Sequence, residues 1–287
     1  MRIADWIREN TELLKEASVP SPRLDTELLL CHLLSVDRSW LAAHADDDIE
    51  AILHLKGHSL QILDMLIQRR KNHEPISYIL GRQEFYGREF IVTPDTLAPR
   101  PESETMITLL LDELQKLTNL QQQILILDVG TGSGCLLISA ALEINSTLNL
   151  SAITYAGLDI SHKALRVAQK NAINHSITAT FKQYNLRGTA PLTESTYDAV
   201  YILANLPYVP DNYPINKAAQ HEPTIALFGG QDGLEYYRLL FTKVTDTNNC
   251  TILCESLEFQ HKQLASLASK FSLRCVQTEG LMQIFKR

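Results

Sequence analysis

The stretch that decides the fold reads Ile124-Leu125-Ile126-Leu127-Asp128-Val129-Gly130-Thr131-Gly132-Ser133-Gly134. Its first four residues form a short apolar run that is typical of a buried strand. Glycines follow at once, and because they lack a Cβ they permit backbone conformations and close ligand contacts that other residues resist. Such a loop between a strand and a helix offers N–H groups and the positive end of a helix dipole to a ligand. The stretch therefore predicts a nucleotide-like cofactor site on an α/β fold.

Short apolar runs and helical patterns alternate from this point onward. The runs cover 124–127, 153–158, 178–184, 199–203, 251–254, 273–278 and 282–285. Helical stretches separate the first five, which predicts a mostly parallel sheet with helices on both faces. Only Glu279-Gly280-Leu281 separates the last two runs, too few residues for a crossover helix, so these runs are predicted to pair antiparallel. A seven-stranded, mostly parallel sheet that ends in a hairpin resembles the class I methyltransferase fold.

The residues before 105 fall into two segments with different sequence patterns. Residues 1–73 carry apolar side chains at helical spacing and predict a small helical bundle, to which we assign docking or substrate recognition. Residues 74–104 alternate aromatic or β-branched residues with glycine in the runs 78–81, 84–87 and 90–92, which predicts short strands in a β-hairpin linker. Residues 105–287 are then the catalytic domain.

Composition limits the class of partner. The chain of 287 residues has 26 Lys and Arg against 33 Asp and Glu, a formal net charge of −7. Stable nucleic-acid binding is not expected, because it requires a basic face. No apolar run is long enough to predict a membrane span. The five cysteines are scattered without ligand spacing, which favours a reduced, cytoplasmic protein without a metal site.

A second motif, Asn205-Leu206-Pro207-Tyr208, follows the run 199–203. Amide nitrogens are weak nucleophiles because their lone pair is delocalised, so a site that methylates one must hold its NH2 group. The Asn205 side-chain carbonyl can accept one N–H, and the Leu206 backbone carbonyl can accept the other. Pro207 biases Leu206 towards extended geometry, and Tyr208 can lie against a planar group. Alone the motif also fits a tight turn, but together with the glycine loop it indicates methyl transfer to nitrogen.

Further residues are candidates for holding the cofactor. Asp159 ends the run 153–158, where a carboxylate can accept hydrogen bonds from both ribose hydroxyls of a nucleoside. Alternatively Asp159 caps the next helix, a role that Ser161 can also fill. Asn185 and Leu186 follow the third run, and the Asn185 side-chain carbonyl can meet an adenine amino group. The remaining predicted contacts of this cofactor, for which we favour S-adenosyl-L-methionine, are Gly130, Thr131, Gly132, Ser133, Gly134 and Asn205.

Motifs outside these loops are more specific. They are Pro22-Arg23-Leu24-Asp25-Thr26-Glu27-Leu28-Leu29-Leu30, Glu74-Pro75-Ile76-Ser77-Tyr78-Ile79-Leu80-Gly81, Glu84-Phe85-Tyr86-Gly87, Pro99-Arg100-Pro101-Glu102-Ser103-Glu104, Glu222-Pro223, and Gly229-Gly230-Gln231-Asp232-Gly233-Leu234. With them the chain resembles the HemK/PrmC-type release-factor glutamine methyltransferases over nearly its whole length. The resemblance implies a class I S-adenosylmethionine-dependent enzyme. Its expected substrate is the glutamine amide in the Gly-Gly-Gln motif of peptide chain release factors.

The resemblance also identifies one departure. This family usually has proline where Leu206 stands, so the pre-proline restriction on Asn205 is lost while the backbone acceptor is kept. The chain's own Gly-Gly-Gln at 229–231 is interpreted as structural rather than as a substrate.

Three charged residues are candidates on the substrate side. Arg100 and Glu102 can orient the substrate loop or brace the cofactor pocket, and a salt bridge between elements is the alternative. Glu222 can close the site or cap a loop.

Two other functions remain open on the sequence alone. The first is a methyltransferase for exocyclic amines of nucleic acids, because related tetrapeptides hold the amino groups of adenine or guanine. The second is a catalytically impaired cofactor-binding homologue, given Leu206. A nicotinamide oxidoreductase is more distant, because the tetrapeptide would then have no purpose.

Overall fold

The computed structural model describes residues 1–118, 121–148, 150, 152–192, 197–245, 247 and 249–287. The chain forms two compact units. The first comprises Met1–Gly81 and Asn216–His221, and the second comprises Arg82–Ile215 and Glu222–Arg287. The break at Gly81 falls within the linker 74–104 expected from the sequence, whose exact boundaries stay a prediction.

The first unit is helical, as the sequence predicts. Its helices are α1 Ile3–Glu16, α2 Pro22–Leu34, α3 Arg38–Ala43, α4 Ile49–Leu55, α5 Leu60–Lys71 and α6 Ile76–Leu80. Pro22 begins α2 at a position where a missing N–H costs nothing. The Asp37 side chain caps α3 by accepting the Trp40 N–H at 2.7 Å. Trp6 and Leu29 belong to a buried apolar cluster within this unit.

A buried ion pair joins two helices of the first unit. Arg70 of α5 donates to the Asp25 carboxylate of α2 at 2.7 Å, and both side chains are less than a tenth exposed. Burial raises the pKa of the Asp25 carboxyl, and the Arg70 guanidinium opposes that rise. Arg70 also donates to the backbone carbonyl of Glu74 at 2.9 Å. Arg70 therefore links α2 to α5 and to the segment that follows α5.

The strand predicted at 78–81 is wrong, because residues Ile76–Leu80 form helix α6. Pro75 precedes the helix with a φ of −52°. Gly81 ends the helix in the left-handed conformation, with a φ of 72°, which glycine adopts at little cost. Ile79 is buried in the apolar cluster of the first unit. Packing of this single turn outweighs the β propensity of its aromatic and branched residues.

The second unit contains a hairpin, a larger sheet and further helices. The strands are β1 Arg82–Phe85, β2 Arg88–Ile91, β3 Ile124–Val129, β4 Ile153–Asp159, β5 Thr180–Gln183, β6 Ala199–Ala204, β7 Cys250–Glu255, β8 Arg274–Glu279 and β9 Met282–Lys286. The helices are α7 Glu104–Gln115, α8 Cys135–Thr147, α9 His162–Asn174, α10 Thr224–Leu227, α11 Glu235–Lys243 and α12 His261–Ser269. None of the helices in the described ranges has the length and apolar character of a membrane span.

The sheet confirms the predicted fold class. Its seven strands have the order β5-β4-β3-β6-β7-β9-β8. Strand β9 pairs antiparallel with both β7 and β8, whereas the pairings among β3 to β7 are parallel. The final hairpin therefore lies where the sequence predicts it. Because β4 and β6 lie on opposite sides of β3, the chain changes direction across β3, and such switch points are where open α/β sheets bind ligands.

The sheet is covered on both faces, which explains why its central strands read as continuous apolar runs. In β3, Ile124 and Ile126 face one apolar cluster, while Leu125 and Leu127 face the other. A polar tie also joins the hairpin to this core. The buried Asn171 accepts the Ile91 N–H at 2.8 Å and donates to the carbonyls of Ile91 and Ser133, each at 2.9 Å. The hairpin is thereby fastened next to the glycine-rich loop.

Replacement of Asp25 by alanine is expected to destabilise the first unit by about 3–5 kcal/mol, because it leaves the Arg70 charge buried without a partner. Both tryptophans of the chain, Trp6 and Trp40, lie in this unit, so denaturant titration followed by tryptophan fluorescence reports its unfolding.

The matched control is Glu12→Ala, which removes a pair with Lys15 whose side chains are 60% and 66% exposed. Its effect should be about 0–1 kcal/mol. Equal effects of the two substitutions would contradict the expected cost of a buried, unpaired Arg70 charge.

Candidate functional site

The two sequence motifs meet at one edge of the sheet. Strands β3 and β6 are parallel neighbours, so the loops that leave their carboxyl ends lie side by side. A Cβ built on Gly130 would lie 3.2 Å from Leu206 Cδ2. The glycine-rich loop and the Asn205-Leu206-Pro207-Tyr208 loop are therefore in contact.

A cavity of about 310 Å³ opens between these loops, a volume within the range of small-molecule sites. The segment 94–100, which follows the β-hairpin, forms a further part of its wall. The predicted site residues that line it are Gly130, Thr131, Gly132, Ser133, Asp159, Asn185, Leu186, Asn205, Leu206, Pro207 and Arg100.

The glycine-rich loop has the backbone geometry that its sequence predicts. Gly130, Gly132 and Gly134 have φ angles of 80°, 54° and 79°, a region that favours glycine. The N–H groups of Gly130 and Thr131 donate to the Leu158 carbonyl at 2.8 and 2.9 Å, which ties the loop to β4. Gly134 lines no part of the cavity wall and instead allows α8 to approach α9, since a Cβ there would lie 3.1 Å from Ala168 Cβ.

Asp159 presents its carboxylate at the cavity, and Ser161 caps the helix. The Ser161 hydroxyl accepts the Ala164 N–H at 3.2 Å at the start of α9. Asp159 accepts the N–H groups of Gly132 at 2.9 Å and of Ser161 at 2.8 Å. Burial raises the pKa of the Asp159 carboxyl, while these N–H groups oppose the rise. The carboxylate is thus held at the end of β4 with lone pairs left for a ligand.

Asp128, which was not predicted as a site residue, holds the glycine-rich loop through Thr131. Its carboxylate is 1% exposed and accepts the Thr131 hydroxyl at 2.6 Å. Burial raises the pKa of Asp128 to about 7. Because Asp128 belongs to the glycine-loop stretch itself, its position at the end of a buried strand was the available signal.

Asn185 and Leu186 both line the cavity, but the Asn185 carbonyl is already engaged. Its Oδ1 accepts the Arg187 N–H at 2.9 Å and closes a local turn. Leu186 is 9% exposed and contributes an apolar surface. The assignment of Asn185 to an adenine amino group stays a prediction.

Asn205 is held by partners that accept hydrogen bonds. Its Nδ2 donates to Ser103 Oγ at 2.9 Å and to Glu255 Oε2 at 3.0 Å. The Ser103 hydroxyl itself donates to Glu255 Oε2 at 2.6 Å. Burial raises the pKa of Glu255, and the hydrogen bonds from Ser103 and Tyr208 oppose the rise. With its nitrogen fixed in this way, Asn205 keeps its Oδ1 available as an acceptor.

The Tyr208 side chain contacts Glu255 and the core of the second unit. Its hydroxyl donates to Glu255 Oε1 at 2.8 Å, and its ring packs against the apolar cluster on one face of the sheet. Among the described residues that line the cavity, Asn205, Leu206 and Pro207 are present and Tyr208 is not. Stacking of Tyr208 on a substrate amide therefore stays a prediction, and support of Glu255 is the contact observed.

Arg100 and Glu222 form the salt bridge that was the alternative to a direct substrate role. Their side chains meet at 2.6 Å, with Glu222 fully buried and Arg100 42% exposed on the cavity wall. Burial raises the pKa of Glu222, and the Arg100 guanidinium opposes the rise. Glu102 is exposed and lies outside the cavity lining.

The chain's own Gly-Gly-Gln segment braces the Asn205 loop. A Cβ on Gly229 would lie 2.3 Å from the Pro207 carbonyl oxygen, and one on Gly233 would lie 2.0 Å from that of Tyr208. Only glycine permits such close packing of two backbones. The Gln260 amide adds a donor to the Tyr208 carbonyl at 2.9 Å. The close approach of Gly229 to Pro207 supports the structural interpretation of residues 229–231.

Sequence reasoning missed Ser103, Glu255 and Gln260. Ser103 lies in the Pro-Arg-Pro-Glu-Ser-Glu motif, and Glu255 directly follows the apolar run 251–254. A carboxylate at the end of a strand parallel to the one before Asn205 was a usable signal, because neighbouring parallel strands end at the same edge. Gln260 had no comparable signal.

Two family models match the chain. The PrmC N-terminal domain matches residues 5–81, and a methyltransferase domain matches residues 126–221. Of the solved structures, the hMettl16 catalytic domain in complex with the MAT2A 3′UTR hairpin 1 is similar with a TM-score of 0.51 and 12% identity. The match covers 77% of this chain and 79% of that one. This likeness shows the class I methyltransferase fold alone.

Curated relatives cover most of the chain. The release factor glutamine methyltransferase of Geobacter sulfurreducens is 34% identical over 242 residues, which are 83% of this chain and 76% of that protein. That of Koribacter versatilis is 35% identical over 80% of this chain and 77% of its own length. A bifunctional methyltransferase of Rickettsia bellii is 30% identical, and the match covers 83% of this chain but 45% of that protein. The chain therefore belongs to the release factor glutamine methyltransferase family.

Proposed function

We propose that this protein transfers a methyl group from S-adenosyl-L-methionine to the side-chain amide nitrogen of a glutamine in the Gly-Gly-Gln motif of a peptide chain release factor. Family membership gives the reaction class and the substrate. The single observation that supports the chemistry best is the orientation of Asn205. Its NH2 group is occupied by Ser103 and Glu255, which leaves the Oδ1 acceptor for a substrate amide.

The residues at the cavity fit this cofactor. The loop from Gly130 to Gly134 has room for a ligand beside its backbone, and the Asp159 carboxylate can accept hydrogen bonds from two ribose hydroxyls. Leu186 adds an apolar wall for a planar base. When bound, S-adenosyl-L-methionine supplies an electrophilic methyl carbon on a positively charged sulfur.

The protein's part in the reaction is to hold and orient the substrate nitrogen. The Asn205 Oδ1 and the Leu206 carbonyl accept the two N–H bonds of the amide. Both acceptors become more favourable as positive charge grows on nitrogen during attack, which stabilises the transition state. Transfer of the methyl group from the bound cofactor to this nitrogen would leave S-adenosylhomocysteine as the second product. The nitrogen then loses a proton to solvent, and no strong base is required.

The direct test is co-expression of the protein with a release factor, followed by peptide mass spectrometry. We expect one added methyl group on the glutamine of the Gly-Gly-Gln motif. Methylation of a nucleic acid instead would favour the exocyclic-amine alternative. Stabilisation by S-adenosylhomocysteine without any turnover would favour a catalytically impaired homologue.

Asn205→Ala removes the side-chain acceptor and is expected to lower kcat about 10²-fold or more, by analogy with other preorganised polar groups. The measurement is methyl transfer to a purified release factor at saturating cofactor. Asn212→Ala, an exposed position further along the same loop, is the matched control and should keep its activity. Full turnover by the folded Asn205→Ala variant would refute this role.

Leu206→Pro restores the usual residue of the family. We expect activity equal to wild type or raised up to about fivefold, because a proline there restricts Asn205 and contributes at most about 1 kcal/mol of preorganisation. Initial rates and thermal melting are measured together. A correctly folded variant with a collapsed rate would count against an acceptor role for the backbone carbonyl at position 206.

A further inference from the structure

The Glu255 carboxylate does not line the cavity, but it accepts hydrogen bonds from Asn205 and from two further residues near the cavity. Glu255 ends β7, next to β6 in the sheet, and is 1% exposed. It accepts three hydrogen bonds, from Ser103 at 2.6 Å, from Asn205 at 3.0 Å and from Tyr208 at 2.8 Å. In this arrangement the carboxylate only accepts, and each of the three neighbours donates.

This arrangement permits one orientation of the Asn205 carboxamide. Turned the other way, its Oδ1 would lie where Nδ2 now stands, about 3 Å from Glu255 Oε2, and two acceptors would face each other. The Ser103 hydroxyl gives no alternative partner, because its proton is already donated to Glu255 and its lone pair faces Asn205. The orientation of the Asn205 carboxamide therefore depends on Glu255.

We infer that Glu255 is a positioning residue which, through Asn205, selects a substrate group that presents N–H bonds. This inference rests on the proposed function and deepens it to substrate choice. With Oδ1 directed outward, the site accepts the NH2 group of a glutamine. A glutamate carboxylate would place an oxygen against Oδ1, with no proton between them, and is rejected.

An exchange of the two groups tests the inference. Asn205→Asp alone places two carboxylates in contact and should lower kcat about 10²-fold. Glu255→Gln alone lets the new amide donate to Asn205 Oδ1, which turns the NH2 group of Asn205 towards the substrate, and a similar loss is expected. The double variant restores one amide facing one carboxylate, with the second oxygen of the introduced aspartate directed outward. We expect it to be at least tenfold more active than either single variant.

Rescue of this kind is not expected from a purely structural role. If Glu255 only filled space, the losses of the two substitutions would add, and the double variant would be the least active of the four proteins. That result would overturn the inference. Affinity for S-adenosylhomocysteine, measured by calorimetry on the wild-type and Glu255→Gln proteins, should be closely similar, because Glu255 does not line the cavity. A marked loss of affinity in Glu255→Gln would indicate damage to the cofactor site instead of a lost positioning role.

Peptide binding gives a second measurement that does not require turnover. Wild-type protein with S-adenosylhomocysteine should bind a Gly-Gly-Gln peptide more tightly than the matching Gly-Gly-Glu peptide. In Glu255→Gln the ratio of the two peptide affinities should fall at least tenfold. The reason is that the turned Asn205 presents its NH2 group to the peptide, and this group can donate to a glutamate carboxylate. An unchanged preference would overturn the inference even if the double variant failed to fold.

The wild-type protein separates this inference from the proposed function. If it leaves the release-factor glutamine unmethylated, the proposed function fails. If it methylates that glutamine while the exchange gives no rescue and peptide preference is unchanged, only the role of Glu255 fails.

Discussion

The buried carboxylate of Glu255 sets the condition that the rest of the site meets. A charge with 1% exposure is tolerated only when hydrogen-bond donors surround it. Ser103, Asn205 and Tyr208 supply those donors from two separate segments of the chain. Satisfaction of the carboxylate therefore fixes the amide of Asn205, and a polar requirement of the core determines the geometry of the proposed amide-binding site. Parallel alignment of β6 and β7 makes the contact available, because both strands end at the same edge.

The backbone of the loop that carries Asn205 packs against a second loop, and two glycines of that second loop make the close approach possible. The backbones at Gly229 and Gly233 approach the carbonyls of Pro207 and Tyr208 more closely than any residue with a Cβ allows. Gln260 then bridges the two loops by donating to the carbonyls of Tyr208 and Asp232, each at 2.9 Å. Loops that hold reacting groups are often mobile, and here a second backbone packs directly against the first. This arrangement limits the movement of the Asn205-Leu206-Pro207-Tyr208 loop relative to the cavity.

The local sequence pattern was sufficient to predict the strands of the sheet. It did not predict features that depend on tertiary contacts. Each of the seven apolar runs is a strand, because buried parallel strands leave a continuous apolar signal. Residues 78–80 have β propensity but form part of a helix, since one turn packed on an apolar cluster outweighs so weak a preference. The two site loops were recognisable from residue types, whereas Glu255 and Gln260 act through partners about 50 residues away. Periodicity carries no information about such pairs.

The hydrogen bonds that hold the Asn205 side chain explain why leucine can stand at position 206. A proline there would limit the backbone of Asn205, but the orientation of the side chain is set by Glu255 and Ser103, whatever residue follows. The backbone carbonyl at 206, which the proposed function uses as an acceptor, is present whether the residue is leucine or proline. Leu206 is 3% exposed and its side chain packs against Gly130, so it joins the Asn205-Leu206-Pro207-Tyr208 loop to the glycine-rich loop through apolar contact. In this chain the hydrogen bonds of Asn205 and the packing of Leu206 provide the restraint that a proline ring at position 206 would otherwise give. Leucine at this position is therefore compatible with the proposed activity.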